Sequence, residues 1–136
     1  NVSSPGVGSI SHLAGELFKM RAGIDMVHVP FSGNSPALTA LLGGQVEVSI
    51  ASLPSSIEFI RAGKLRGLAV TSRKRVEALL DVPALVESLP DYEVSAWYGV
   101  GAPKGTPADI IDKLNSEVGA ALADPHLKAR IADFGG

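Results

Sequence analysis

Apolar residues at Ile10, Leu13, Ala14, Leu17 and Phe18 recur at i, i+3, i+4, i+7 and i+8 and predict an amphipathic helix ending near Gly23. A strand pattern follows over Asp25–Pro30. Ser35 then stands as an N-cap with Pro36 at the first helical position, opening a helix through Leu38, Leu41 and Leu42 that stops at Gly43-Gly44. The rhythm repeats with a strand over Gln45–Ala51 and a helix opened by Pro54, through Ile57 and Ile60 to Gly63. Leu65–Thr71, rich in β-formers, predicts another buried strand. Strand–loop–helix units of about 20 residues predict an α/β fold, with a parallel-type sheet flanked by helices.

Past Thr71 the pattern loosens. Ser72–Asp91 predicts an irregular connection with one short helix, and Val94–Gly101 a strand. Thr106 with Pro107 starts the longest helix, whose face carries Ile110, Ile111, Leu114, Val118 and Leu122. Asp124-Pro125 caps a last helix that Gly135 stops. Asn1-Val2 leaves almost no strand before the first loop, and the chain stops directly after a helix. Both features are expected of a piece of a longer protein.

Three polar loops follow three of these strands. Ser3-Ser4-Pro5-Gly6-Val7-Gly8-Ser9 feeds the first helix, Phe31–Pro36 the second, and Ile50–Ser55 the third. A small glycine-bearing loop before a helix offers unpaired N–H groups and the positive end of the helix dipole, which suits a carboxylate or phosphate. Such a turn also serves as a plain helix cap, so the anion reading rests on three loops at one sheet edge, where ligands of parallel sheets gather. The first loop fits no nucleotide fingerprint. No lysine follows Gly8 as a P-loop requires, and Ser11 stands where a dinucleotide motif needs its third glycine.

The 46% hydrophobic content of the 136 residues is enough for a folded core. A net charge of −2 without a basic stripe excludes a nucleic-acid surface, and Arg73-Lys74-Arg75 reads as a solvated turn. No apolar run is long enough to cross a bilayer, and the N-terminus has no signal-peptide pattern. Without cysteine there is no disulfide or thiolate site. His12, His28 and His126 stand apart from other ligands, so no metal site and no cofactor are predicted. His12 lies in the first helical turn, where it either touches a ligand or is simply half-buried; His28 reads as a packed or edge position and His126 as solvent-facing. No histidine is placed by sequence to activate a serine, and Glu47 and Glu58 read as paired or solvated rather than as a general-base pair, so no catalytic residue is predicted. Trp97 and Tyr98 either line a cleft or pack in the core, and core packing is favoured.

Taken in order, the motifs resemble one family. Ser-Ser-x-Gly-x-Gly-Ser-x-Ser-His-Leu-Ala-Gly-Glu-Leu-Phe (3–18), Ile-Asp-Met-Val-His-Val-Pro-Phe (24–31), Pro-Ala-Leu-Thr-Ala-Leu-Leu-Gly-Gly-Gln-Val (36–46), Ile-Arg-Ala-Gly-Lys-Leu-Arg-Gly-Leu-Ala-Val-Thr-Ser (60–72), Trp-Tyr-Gly (97–99) and Ala-Pro-x-Gly-Thr-Pro (102–107) are similar to the tripartite tricarboxylate transporter receptors, the Bug-type solute-binding proteins. The resemblance implies one lobe of a two-lobed, type II-like periplasmic binding protein. It also implies a full protein about twice this length that hands a small organic carboxylate to membrane transporter subunits, with no membrane insertion of its own. Residues 1–95 would form the second lobe, and 96–136 a crossover strand and helices that would pack on the first.

By the same resemblance, Ser3, Ser4, Gly6, Val7, Gly8 and Ser9 would hold a carboxylate, with Ser32, Gly33, Asn34 and Ser35 as a second contact and Ala51 and Ser52 as a third. Relatives often carry Asp-Asn at 51–52 and Lys at 32. Without an acid at 51 there is no partner for a ligand ammonium, which implies a non-amino carboxylate such as a dicarboxylate or an aromatic acid. The apolar faces within 97–134 need cover, by folding back on the second lobe or by self-association. Two other readings compete: the effector-binding domain of a bacterial transcription regulator, and a small enzyme using the anion site, which lacks a nucleophile–base pair.

Overall fold

Val2, Ser3 and Ser4 are all buried, although side chains alternate between the two faces of a strand. A short segment covered on both sides belongs in the middle of a sheet, and the computed structural model, which describes residues 1–136, places it there. Strand β1 (Val2–Ser4) pairs in parallel with β2 (His28–Pro30) and β3 (Val48–Ser49), giving the order β2-β1-β3. The residues with almost no room for a strand thus form the central one.

Helix α1 (Ile10–Ala22) begins where Ser9, extended at φ −66° and ψ 157°, accepts the His12 N–H on its side chain. It ends at Gly23, whose φ of +64° is the left-handed conformation that closes a helix. Ala14 and Gly15 are buried against the sheet; a Cβ at Gly15 would lie 3.4 Å from the Ile50 side chain. Tyr92 closes this layer. Its hydroxyl donates to the Ala14 carbonyl at 2.8 Å, and its ring meets Phe18 edge-on at 6.2 Å. Helix α2 (Asn34–Leu42) buries Ala37, Leu38 and Ala40 and contacts β1 and β3, while α3 (Leu53–Arg61) buries Ser56 and Ile57.

The α/β reading holds, with shorter strands than the pattern predicts. Only 28–30 of the predicted 25–30 and 48–49 of the predicted 45–51 are strand. Leu65–Thr71 is not a strand and forms a single bridge, Val70 with Ala84, through Val70 N–H to Pro83 O and Leu85 N–H to Val70 O. The connection after it holds two 3₁₀ turns, Glu77–Leu79 and Leu85–Glu87, rather than one short helix. Val94–Gly101 is not a strand: beyond the Val94 N–H to Thr71 O bond it has no ladder partner. Core packing of Trp97 and Tyr98 is overturned with it, since they are 87% and 81% exposed.

Helices α4 (Ala108–Ala123) and α5 (Pro125–Asp133) pack on each other. Asp124 caps α5 as predicted, accepting the His126 and Leu127 N–H groups at 2.8 and 3.0 Å. The end of α5 returns to the lobe: Arg61 donates to the Asp133 carbonyl at 3.1 Å, and a Cβ at Gly135 would run into Leu53. No residue of α4 is buried, and Ile110, Ile111, Leu114 and Val118 all remain exposed. No helix is long and apolar enough to cross a membrane.

Candidate functional site

Because the three strands run parallel, the loops after them leave the sheet at one edge, the C-terminal one. The ladder carries each neighbour up to that edge: Phe31 N–H donates to Ser4 O at 3.0 Å and Ile50 N–H to Ser3 O at 3.2 Å. The predicted juxtaposition of the three loops is therefore a property of the sheet.

The first loop is built around its own polar groups. The Ser4 hydroxyl accepts the Gly6 N–H at 3.2 Å, donates to the Gly6 carbonyl at 3.1 Å and meets His28 Nε2 at 2.6 Å. With a proton on His28 Nε2 all three bonds are satisfied together, since a hydroxyl donates once and accepts twice. Ser9 Oγ donates to the same Gly6 carbonyl at 2.7 Å. Gly6 and Gly8 have φ of +148° and +77°, a region that side chains disfavour, which explains glycine at both. Gly8 donates its N–H to His12 Nδ1 at 3.1 Å. The N–H groups of Val7, Ile10 and Ser11 have no acceptor within the chain, as expected of a helix start. Ser3 is fully buried in the middle of β1 and its hydroxyl is unpartnered, so it lies in the sheet and not at the loop surface.

In the second loop the structure corrects the cap. Gly33, at φ +131°, is the N-cap of α2, Asn34 opens the helix, and Ser35 and Pro36 lie inside its first turn. Gly33 takes the position because a residue with positive φ is needed there. Ser32 and Ser35 are exposed, the Ser35 carbonyl accepting from Thr39 Oγ1 at 3.0 Å, whereas the Asn34 side-chain oxygen is buried without a partner. In the third loop Ala51 is half-buried, and Ser52 is the N-cap of α3 with its hydroxyl on Ser55 Oγ at 2.9 Å.

Two residues gain a place that spacing did not show. His28 lies on β2 and His12 in the first turn of α1, 16 positions apart, yet their rings stack at 4.0 Å and 20°. Burial, then the His12 charge, holds His28 below the ordinary imidazole range. Glu16 sits 3.9 Å from His12 Nε2 and takes two 3.0 Å bonds from Lys19, and the Lys19 bond draws its carboxyl down. A serine does therefore have a histidine neighbour, contrary to the sequence expectation. Ser4 is 1% exposed and its hydroxyl is taken up by Gly6, which makes the contact a brace for the loop rather than a nucleophile and base. No three potential ligands converge to hold a metal. Glu58 pairs with Arg61, and Glu47 is exposed, both as surface acids. His126 is exposed, as predicted. A recess of about 330 Å³ lies away from the loops, along the C-terminal half of α1 between Glu16 and Asp25.

Residues 1–136 match the tripartite tricarboxylate transporter family receptor. A protein in the tcbD-tcbE intergenic region of Pseudomonas sp. strain P51 is 40% identical over 135 residues, 98% of this chain and 40% of its own. Rpa4515 of R. palustris, solved with adipate, superposes at a TM-score of 0.95 with 38% identity over 98% of this chain and 45% of that one. The periplasmic binding protein BugD superposes at 0.86 with 36% identity, over 98% and 45%. The chain thus spans less than half the length of these relatives, and its sheet and helices correspond to one lobe of a periplasmic-binding-protein fold. With the match running from its first residue to its last, this chain belongs to the receptor family of the tripartite tricarboxylate transporters.

Proposed function

We propose that this chain supplies one wall of a periplasmic receptor that binds a small dicarboxylate and delivers it to the membrane subunits of a tripartite transporter, without catalysing a reaction. One observation carries the reading. The 4–9 loop and the first turn of α1 leave the Val7, Ile10 and Ser11 N–H groups unpaired at the edge where ligands of parallel sheets gather. The likeness to a neighbour solved with adipate supports the anion's class. Ser4, Gly6, Gly8 and Ser9 shape the loop, and Ser32, Gly33, Asn34, Ser35, Ala51 and Ser52 border it from the adjacent strands. No carboxylate stands in the three loops, so nothing there would neutralise a ligand ammonium. Residues 1–95 form the second lobe in this reading. Residues 96–136, whose apolar faces stand uncovered, dock on the remainder of the receptor or, in the isolated chain, on a second copy.

The test is adipate titration calorimetry on the complete receptor and two variants. Gly8→Asn and Gly8→Asp match in shape, and both residue types tolerate positive φ better than most. Only aspartate brings a negative charge, which takes up the positive helix end and the N–H donors in the ligand's place, an effect of about 0.3–2 kcal/mol, so Gly8→Asp should bind about two- to thirtyfold more weakly than Gly8→Asn. Equal affinities would remove the loop from the site. Failure of the parent to bind any short dicarboxylate would remove the function.

A further inference from the structure

We propose that His12 and His28 form a stacked pair that positions the 4–9 loop, and that a proton on His12 frees the Gly8 N–H for the ligand and tightens carboxylate binding. The proposal rests on the carboxylate reading above for its ligand, but the clamp itself stands on separate contacts. His28, on β2, holds the start of the loop through Ser4 Oγ at 2.6 Å, and His12, on α1, holds its end by accepting the Gly8 N–H at 3.1 Å. The rings stack at 4.0 Å, so elements distant in sequence grip the two ends of one loop through a shared contact.

The hydrogen-bond chemistry dictates the protonation states. Accepting the Gly8 N–H requires a lone pair on His12 Nδ1, so neutral His12 carries its hydrogen on Nε2, the nitrogen 3.9 Å from Glu16. A second proton must go to Nδ1, which then donates and can no longer accept. The Gly8 N–H is released to join those of Val7, Ile10 and Ser11, and a positive charge appears beside the loop. The charged groups facing the pair are Glu16 and Lys19 on α1; residues 5–9 contribute none. Two imidazolium rings stacked at 4.0 Å repel, which disfavours charging both at once. Burial disfavours charge on His28, which keeps its bond to Ser4 while His12 changes state.

Linkage is reciprocal: if a proton on His12 favours the anion, the bound anion favours that proton to the same degree. The experiment uses the complete receptor with adipate as probe. Nitrogen-15 spectra of the ligand-free protein between pH 6 and 8 should show the Gly8 amide moving with the His12 ring nitrogens. Over the same range, calorimetry is compared with His12→Asn, whose side-chain oxygen replaces the Nδ1 acceptor without titrating. Adipate's own ionisation is common to both proteins and cancels in their ratio. The parent should gain about three- to tenfold in affinity over His12→Asn between pH 8 and pH 6. A Gly8 amide indifferent to His12, or a His12→Asn variant with the parent's pH slope, would overturn the proposal. If the Gly8 amide follows His12 but adipate binds at no pH, the clamp is supported and the carboxylate reading falls.

Discussion

Tyr92 is 1% exposed, its hydroxyl bonds the Ala14 carbonyl at 2.8 Å, and it joins the irregular 72–92 segment to the helix that begins at the candidate site. Tyr92→Phe deletes that bond and keeps the ring, and Ala14 is a helix carbonyl with an intrahelical donor available. The expected cost is about 0.5–1.5 kcal/mol, the net worth of a buried hydrogen bond. Tyr92→Ala also removes the ring and its edge-on contact with Phe18 at 6.2 Å, leaving a cavity; truncating a buried aromatic costs about 3–5 kcal/mol. With a urea m-value of about 2 kcal/mol/M, the midpoint falls by about 0.5 M for phenylalanine and about 2 M for alanine. Equilibrium urea unfolding followed by circular dichroism measures both. The pH dependence gives a second check. Burial raises the Tyr92 phenol above its ordinary value of 10.0, so the folded state favours the neutral form. That contribution is complete below pH 10 and is lost as pH rises through the raised value, so the parent, unlike Tyr92→Phe, loses it on alkaline titration. An alanine variant within about 1 kcal/mol of the parent would refute the argument, because Tyr92 is 1% exposed and its whole ring would be lost from the interior.

Two further outcomes follow from surface features. Arg75 grips Glu87 through two bonds of 2.8 and 2.7 Å, and with the Ala84 N–H this holds the Glu87 carboxyl at about 2. Arg75→Gln should move the Glu87 titration, read by carbon-13 spectroscopy, up toward 4.5. A depressed carboxyl contributes stability above its ordinary value and loses it as pH falls through the folded one, so the variant, already less stable at neutral pH, should lose less stability than the parent between pH 4.5 and about 2. The uncovered stripe of α4 predicts that the isolated chain self-associates and that Leu114→Lys with Val118→Lys returns it to monomer by sedimentation velocity; a parent that stays monomeric at every concentration counts against it.

The periods of the sequence determined the helices and the order of elements, because one amphipathic face, a cap and a stop glycine are local facts: α1 runs from Ser9 to Gly23 as its apolar spacing requires, and Asp124 caps α5. They also determined where the polar loops fall, since loops follow from the order of strands. What the pattern could not determine was pairing. A strand is made by its neighbours, so Val2–Ser4 became the central strand despite its length, whereas Leu65–Thr71 and Val94–Gly101, equally rich in strand formers, found one bridge and none. Exposure of Trp97 and Tyr98 has the same cause, because hydrophobicity calls for cover without supplying it. Gly33 displaced Ser35 as a cap through a backbone angle that residue type only permits. Only the tertiary structure brought His12 to His28, because parallel pairing set Ser4 and His28 on neighbouring strands while α1, packed against β2, brought His12 alongside.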